Sequence, residues 1–144
     1  MTAASHMVVP GITVTPLARI AVTGGDVQHF IRADSVGFGG FGEVYFSHAD
    51  QGAVKAWKRH RQMTLNLVVP VGMVRFVFWL EEQGQFHEEV IGDERYVRLT
   101  VAPGIWFGFQ GVGKETNMVA NFADIMHNPD EAERRDPADM EFEW

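Results

Sequence analysis

Apolar residues along the chain recur mostly in short runs with a period near two, and glycine-bearing turns separate these runs. Side chains of a β-strand alternate between the two faces of a sheet, so this period predicts strands rather than helices. Ten strands are predicted, over residues 12–15, 27–32, 42–48, 54–60, 64–69, 73–79, 86–91, 97–101, 106–110 and 117–122. Short strands repeating about every ten residues are typical of a closed barrel or a double-sheet jelly roll.

The two ends of the chain differ from this pattern. Residues 1–11 show no periodicity and resemble a cloning remnant at 5–7, so we expect a disordered or tag-like N-terminus before a single domain over 12–144. Residues 124–143 hold eight carboxylates and two prolines. We expect them to form an acidic flap that packs through Met126, Met140, Phe142 and Trp144. One helical turn is expected at 129–133, with Asn128 as its N-cap.

Composition narrows the class of protein. The 144 residues include 12 Lys and Arg against 19 Asp and Glu, a formal net charge of −7, so we expect no nucleic-acid partner and no anionic membrane surface. The absence of cysteine excludes a disulfide framework, a thiolate metal site and a thiol nucleophile. No apolar run approaches the roughly 20 residues of a membrane span. We therefore expect a cytoplasmic protein.

Residues 55–61 depart from the acidic character of the chain, because they contain four permanent cations and a histidine. In a regular strand, Lys58 and His60 would share one face with two small apolar residues, whereas Lys55 and Arg59 would lie on the other face. An amine and an imidazole on an apolar face are costly to desolvate unless an anion pairs with them. The pattern predicts a binding site at the mouth of an apolar cavity; a solvated edge strand is the alternative.

Four further side chains are candidates for ligand binding. Asn66 and Asn121 could hydrogen-bond a sugar, although buried amides satisfied within the protein are as common. Arg75 could hold a phosphate or form an ion pair at the edge of the core. Trp106 could stack on a base or a sugar face, although aromatic residues in a barrel more often pack in the core.

Two spacings in the chain match the two cupin motifs. The intervals that follow Gly52 are those of the first motif and lead to Lys58, His60, Leu65 and Gly72. Residues 102–107 resemble the second motif, with Phe107 at its histidine. Only His60 is kept among the four ligand positions, and one imidazole cannot hold a catalytic metal ion. The resemblance implies an all-β, cupin-type double-stranded β-helix, a jelly-roll barrel with a short acidic C-terminal flap, that uses no metal and no cofactor.

The chain from about residue 25 to 144 resembles the dTDP-4-dehydrorhamnose 3,5-epimerase family and its sugar ketoisomerase relatives. Residues 41–47, 52–58, 103–109 and 128–144 carry this resemblance. The segment 57–66 is similar to a short subgroup with altered catalytic residues. The resemblance implies a homodimer that binds a nucleotide-linked sugar, as in lipopolysaccharide or O-antigen biosynthesis. Both faces of the predicted strand 73–79 are apolar, which fits a sheet-to-sheet dimer.

The resemblance also implies roles for single residues. The family removes a proton α to a 4-keto group with a histidine paired to an aspartate, and a tyrosine returns a proton on the opposite face. By resemblance, Lys58 stands at the histidine position, Asp136 at the aspartate position and Lys55 at the position of a phosphate-binding arginine. The tyrosine position falls near residue 119 or 120, and neither tyrosine of this chain lies near it in sequence.

We therefore expect metal-independent proton abstraction α to the ketone of a dTDP-4-keto-6-deoxy sugar, catalysed by an isomerase. His60 is predicted to be the base and Lys58 to stabilise the enolate, with Asp136 as a third catalytic residue. A lysine base is the alternative assignment. The predicted substrate-binding residues are Lys55, Arg59, Arg75, Asn66, Asn121 and Trp106. The alternative function is a non-catalytic cupin that binds a nucleotide sugar or another anionic carbohydrate.

Overall fold

The computed structural model describes residues 4–144, whose regular secondary structure is almost entirely β-strand. Within these residues the helical elements are two single 3₁₀ turns, Pro129–Glu131 and Pro137–Asp139, and none is long and apolar enough to cross a membrane. The strands are β1 (His6–Val9), β2 (Ile12–Pro16), β3 (Arg19–Ile20), β4 (Val27–Gln28), β5 (Glu43–His48), β6 (Val54–His60), β7 (Leu65–Val71), β8 (Met73–Leu80), β9 (Gln85–Gly92), β10 (Val97–Val101), β11 (Trp106–Gly111), β12 (Met118–Ala123) and β13 (Ala132–Arg134).

The strands form two large antiparallel sheets that face each other. The six-stranded sheet has the order β1-β2-β10-β7-β12-β5, and the five-stranded sheet has the order β13-β6-β11-β8-β9. Strands β3 and β4 form a separate short pair. Strands adjacent in each sheet are mostly distant in sequence, as a jelly roll requires. The all-β, jelly-roll prediction is confirmed.

The main core lies between the two sheets and follows from the period-two pattern. Alternate residues of β7 and β8 point inward, among them Leu67, Val69, Phe76 and Phe78, each no more than 3% exposed. Their neighbours in sequence point to the opposite faces of the same sheets. Burial of these side chains is the main stabilisation of the sandwich.

A second apolar cluster covers the opposite face of the five-stranded sheet. Trp57, Val77 and Trp106 are buried there, and Phe142 and Trp144 of the C-terminal flap pack against them. The Phe142 ring centroid lies 6.2 Å from that of Trp57 and 5.0 Å from that of Trp144. The chain's own flap therefore covers the apolar face of β8 that we expected a second copy to cover.

The N-terminal segment and the strand predicted at 27–32 differ from expectation. Residues 6–9 form β1 and pair with β2, so the N-terminus is not disordered there, and residues 1–3 lie outside the described residues. Strand β4 ends at Gln28. Beyond it, the carbonyls of Phe30 and Val36 accept hydrogen bonds from the Arg98 guanidinium at 2.8 Å rather than from a neighbouring strand.

The flap agrees with the sequence in most respects. The turn at Pro129–Glu131 is capped by Asn128, whose side chain accepts a hydrogen bond from the Asp130 N–H. Met140 packs with the outer cluster, as predicted. Met126 is instead 73% exposed, so its predicted packing role is wrong.

Candidate functional site

A bulge in β6 brings two lysines to the same face of the sheet. Lys58 pairs with Phe107 of β11, and Lys55 pairs with Phe109, so three residue steps on β6 match two on β11. An extra residue in one strand shifts the alternation of side chains by one position. Lys55 and Lys58 therefore both face inward, whereas a regular strand would have placed them on opposite faces.

Both lysines line a cavity of about 660 Å³ between the two sheets. Its apolar walls are formed by side chains of β7, β11 and β12: Leu65, Leu67, Phe107, Phe109 and Val119. Neutral polar groups come from Tyr45, Ser47 and Asn121, and the flap contributes Arg134, Arg135, Asp136 and Asp139. An apolar cavity with a few convergent polar groups is the usual form of a small-molecule site.

Four cations of this cavity have no ion-pair partner within residues 4–144: Lys55, Lys58, Arg134 and Arg135. Of the seven arginines elsewhere, six pair with carboxylates, namely Arg19, Arg32, Arg59, Arg61, Arg75 and Arg95, and the seventh, Arg98, donates hydrogen bonds to the carbonyls of Phe30 and Val36. Acidic residues outnumber basic ones in this chain, so carboxylates are not scarce. The cluster of unpaired cations therefore points to an anionic ligand.

Lys58 lies in an environment that disfavours its charged form. It is half-buried and stands directly opposite Arg134 in the pairing of β13 with β6. Burial lowers the pKa of Lys58, the Arg134 charge lowers it further, and Glu131 and Glu43 offset part of this shift. An amine with a lowered pKa can accept a proton or act as a nucleophile nearer to neutral pH.

Tyr45 lies on the opposing sheet and also lines the cavity. It pairs with Asn121 in the β5–β12 ladder, and the Asn121 amide donates a hydrogen bond of 3.0 Å to the phenolic oxygen. Burial raises the pKa of Tyr45, and the hydrogen bond from Asn121 offsets part of the rise. Tyr45 thus remains a protonated phenol, able to donate a proton into the cavity.

His60 is buried beside the cavity rather than in its lining. The side chain is 3% exposed, and its Nδ1 is hydrogen-bonded to the Glu131 carboxylate. An ionised carboxylate only accepts hydrogen bonds, so we assign the imidazole proton to Nδ1. Nε2 is buried without a hydrogen-bond partner within the described residues. The ring stacks on Phe107, at 6.3 Å between centroids, and Phe107 lines the cavity.

The pKa directions of this buried pair are consistent with a neutral imidazole and an ionised carboxylate. Burial lowers the pKa of His60, and the hydrogen bond to Glu131 only partly opposes this. Burial alone would raise the pKa of Glu131, but hydrogen bonds from His60 and from the backbone N–H groups of Gln62 and Met63 bring it below its ordinary value. The pair also ties β6 to the turn that precedes β13.

Of the other predicted site residues, Lys55, Asn121 and Asp136 line the cavity with Lys58, and four do not. Arg59 pairs with Glu133 and Glu81, and Arg75 pairs with Glu88. Trp106 belongs to the outer cluster, and Asn66 bonds to Thr100 and to the Gly37 carbonyl. These interactions within the protein account for Arg59, Arg75, Trp106 and Asn66.

The flap is fixed to the rim of the cavity by its backbone. Trp57 and Arg135 exchange two backbone hydrogen bonds, of 2.7 and 3.0 Å, and the Trp57 indole N–H donates to the Pro137 carbonyl at 3.3 Å. The Arg135 guanidinium lies 4.6 Å from the ring centroid of Trp106, a cation–π distance. The Asp136 N–H donates to the Asp139 carboxylate at 2.9 Å. These contacts hold Arg135 and Asp136 at the cavity.

Sequence reasoning missed Tyr45 and the arginines of the flap. The alternation in β5 would have placed Tyr45 and Ser47 on one face and Val44 and Phe46 on the other, but it does not say which face is inward. Arg134 and Arg135 sit in an acidic segment, and only the pairing of β13 with β6 brings Arg134 opposite Lys58.

Among the described residues, no three His, Asp or Glu side chains lie together in a way that could hold a metal ion.

Comparison with known proteins gives strong matches to solved structures. The dTDP sugar isomerase from Desulfovibrio desulfuricans G20 is 37% identical over 94% of this chain and 92% of that chain, with a TM-score of 0.89. The dTDP-4-dehydrorhamnose 3,5-epimerase from Sulfolobus tokodaii is 15% identical over 99% and 86%, with a TM-score of 0.82. QdtA, a sugar 3,4-ketoisomerase from Thermoanaerobacterium thermosaccharolyticum in complex with TDP, is 15% identical over 90% of both chains, with a TM-score of 0.76.

No protein-family model matches the chain, and no curated protein matches it. The fold and the cavity define a cupin jelly roll whose site lies between its two sheets. At 37% identity over nearly the whole length of both chains, the match extends beyond the fold. The chain belongs to the family of dTDP-4-dehydrorhamnose 3,5-epimerase-like and sugar ketoisomerase-like cupins.

Proposed function

We propose that this protein is an isomerase that exchanges a proton α to the ketone of a dTDP-linked 4-keto-6-deoxy sugar. The observation that carries the proposal is the convergence on one cavity of three cations without ion-pair partners in residues 4–144, Lys55, Arg134 and Arg135, with the half-buried Lys58 amine. A diphosphate provides the anionic oxygens that these cations lack within the chain. Membership of a family of nucleotide-sugar isomerases and epimerases supports the same substrate class.

Lys58 is the base in this proposal. It lines the cavity, and its lowered pKa makes the neutral amine available nearer to neutral pH. His60, the base predicted from sequence because an imidazole titrates close to neutral pH, is 3% exposed and does not line the cavity. We therefore assign His60, with Glu131, to positioning Lys58 and β13 rather than to proton transfer.

Tyr45 is the proton donor. It comes from the six-stranded sheet and Lys58 from the five-stranded sheet, so the two groups approach a bound sugar from different walls of the cavity. Removal of a proton from one face of the sugar ring and delivery of a proton to the other face inverts the configuration of the carbon α to the ketone. Burial keeps the phenol protonated, as a general acid requires.

The remaining polar residues of the rim bind the substrate. Lys55, Arg134 and Arg135 hold the diphosphate, since all three line the cavity and lack partners within residues 4–144. Within residues 4–144, no side-chain hydrogen bond joins Asp136 to Lys58. We therefore assign the Asp136 carboxylate to binding a sugar hydroxyl. The reaction then uses only side chains of this protein.

The test is hydrogen exchange with dTDP-4-keto-6-deoxyglucose in deuterium oxide. We expect deuterium at C3 or C5, and we expect Lys58→Met to abolish its incorporation while dTDP still binds. Tyr45→Phe should slow inversion, and Lys55→Met should raise KM more than it lowers kcat. Lys114→Met is the matched control, because Lys114 is exposed and is not part of the cavity lining; its exchange should equal that of the wild type.

A non-catalytic cupin is the second candidate, because the family's histidine position holds Lys58 and its tyrosine position holds no tyrosine. Binding of the sugar nucleotide with no deuterium incorporation by the wild type would select this reading and overturn the enzyme proposal. The homodimer, the cytoplasmic location and a place in O-antigen biosynthesis stay predictions.

A further inference from the structure

Lys58 differs from the other two lysines of the chain in its surroundings. Lys55 and Lys114 are exposed, whereas Lys58 is half-buried inside a cavity with apolar walls. Within residues 4–144, its amine forms no ion pair and no hydrogen bond. Its direct partners in the ladders are Phe107 on one side and Arg134 on the other. Side chains directly opposite each other in such ladders lie on the same face, with Cβ atoms about 5 Å apart.

These surroundings are those of a nucleophilic lysine. An amine attacks a carbonyl only through the lone pair of its neutral form, and a protein obtains that form by desolvating the amine or by placing a second cation beside it. Lys58 has both features, the apolar wall at Phe107 and the guanidinium at Arg134. A carboxylate bound to the amine would cancel both effects, and no such partner is present in the described part of the chain.

We propose that the Nζ of Lys58 adds to the carbonyl carbon of anionic aldehydes and ketones bound in this cavity and forms a reversible imine. The amine adds to the carbonyl to give a carbinolamine, the two amine hydrogens and the carbonyl oxygen leave as water, and hydrolysis restores both partners. No oxidant or reductant is required. The ligand class is a carbonyl compound that carries a phosphate or diphosphate, since Lys55, Arg134 and Arg135 lie in the same cavity.

This inference rests on the anion-binding cavity of the proposed function but not on the proton exchange. Proton abstraction needs the C–H bond of the ligand to face Lys58, whereas imine formation needs the carbonyl carbon to face it. A ligand of the same class can present either its C–H bond or its carbonyl carbon to Lys58. The two reactivities are therefore separable by experiment.

The probe is pyridoxal 5′-phosphate, an aldehyde that carries a phosphate and whose imine absorbs visible light. The protein is incubated with the probe and reduced with borohydride, and labelled peptides are mapped by mass spectrometry. We expect Lys58 to carry most of the label, because its amine is half-buried in the apolar cavity whereas Lys55 and Lys114 are exposed. Excess dTDP should suppress this label, and pyridoxal, which lacks the phosphate, should label Lys58 far less.

Two variants test the residue itself. Lys58→Arg keeps the charge but lacks a primary amine, so it should bind dTDP and lose the label, and Lys58→Met should lose it as well. Lys114→Arg should retain the label at Lys58, because Lys114 is exposed and is not part of the cavity lining. Equal labelling of all three lysines, or labelling of Lys58 that dTDP does not suppress, would overturn the inference.

The outcome is distinguishable from that of the proposed function. Deuterium exchange into the sugar nucleotide without selective labelling of Lys58 would overturn the imine and leave the isomerase intact. Selective labelling without exchange would support the imine and overturn the isomerase.

Discussion

The buried carboxylate of Glu131 provides a quantitative test of how the site is assembled. It is 4% exposed, pairs with His60, and accepts hydrogen bonds from the backbone N–H groups of Gln62 and Met63 at 3.2 and 3.3 Å. Glu131→Gln removes the charge and leaves one acceptor oxygen. Glu131 accepts three hydrogen bonds, from the neutral His60 and from two backbone N–H groups, and a hydrogen bond to a charged group is worth about 1.5–3 kcal/mol. Because one oxygen remains, we expect a loss of about 3 kcal/mol.

Urea unfolding at pH 7, followed by tryptophan fluorescence, measures this loss. With a slope of about 2 kcal/mol per molar, the midpoint should fall by about 1.5 M. Glu133→Gln is the matched control, since Glu133 lies two residues further on and pairs at the surface with Arg59 and Arg61. Exposed pairs contribute roughly 0–1 kcal/mol, so its midpoint should fall by less than about 0.5 M. Equal losses in the two variants would refute the buried-anchor argument.

The same carboxylate predicts a dependence of stability on pH. Hydrogen bonds overcome the effect of burial and lower the folded-state pKa of Glu131 below its ordinary value of 4.5. The unfolded chain therefore takes up the proton first as the pH falls, so this stabilisation is complete above 4.5 and is lost below it. His60 acts in the same direction below 6.5, because burial lowers its folded-state pKa from that value. Glu131→Gln should lose less stability than the wild type below pH 4.5, where other carboxylates with a lowered pKa, such as Glu133, still contribute a loss; a stability curve parallel to that of the wild type would contradict the assignment.

Three further variants test the bulge, the flap and the lysine. Gly108→Ala would place a Cβ 2.5 Å from that of Ala56 and should therefore displace the bulge in β6. We expect the variant to be about 1–3 kcal/mol less stable in thermal denaturation and to bind dTDP more weakly in calorimetry. Unchanged dTDP binding would contradict the role of the bulge. Phe142→Ala removes an aromatic contact with Trp57 and should cost about 2–4 kcal/mol in urea unfolding, with a change in tryptophan emission. Lys58→Met should not lower the melting temperature at pH 7. Burial lowers the folded-state pKa of Lys58 below 10.5, so its charged form destabilises the fold at pH 7, and this destabilisation disappears only as the pH rises through the folded-state pKa towards 10.5. A lower melting temperature of the variant would contradict the desolvation argument.

The fold was accessible from sequence because its strands follow a local rule. In β8, Phe76 and Phe78 face the core between the sheets, and Val77 and Trp79 face the outer cluster. This alternation involves only consecutive residues, so it can be read from the sequence. The elements that the pattern missed depend on distant partners. Strand β13 exists through its pairing with β6, about 75 residues earlier in the chain. The strand predicted at 27–32 ends at Gln28, and beyond it the Phe30 carbonyl accepts a hydrogen bond from the side chain of Arg98, which is distant in sequence.

The site was only partly accessible for the same reason. Regular alternation separated Lys55 from Lys58 and grouped Lys58 with His60 at the ligand site. The bulge, which requires close approach of Gly108 to β6, brings the two lysines onto one face. His60 stays on the inner side, but its side chain is hydrogen-bonded to Glu131, 71 residues away in sequence, and does not line the cavity. The spacing of a motif therefore fixes which residues are near each other along a strand, whereas long-range partners decide which of them can meet a ligand.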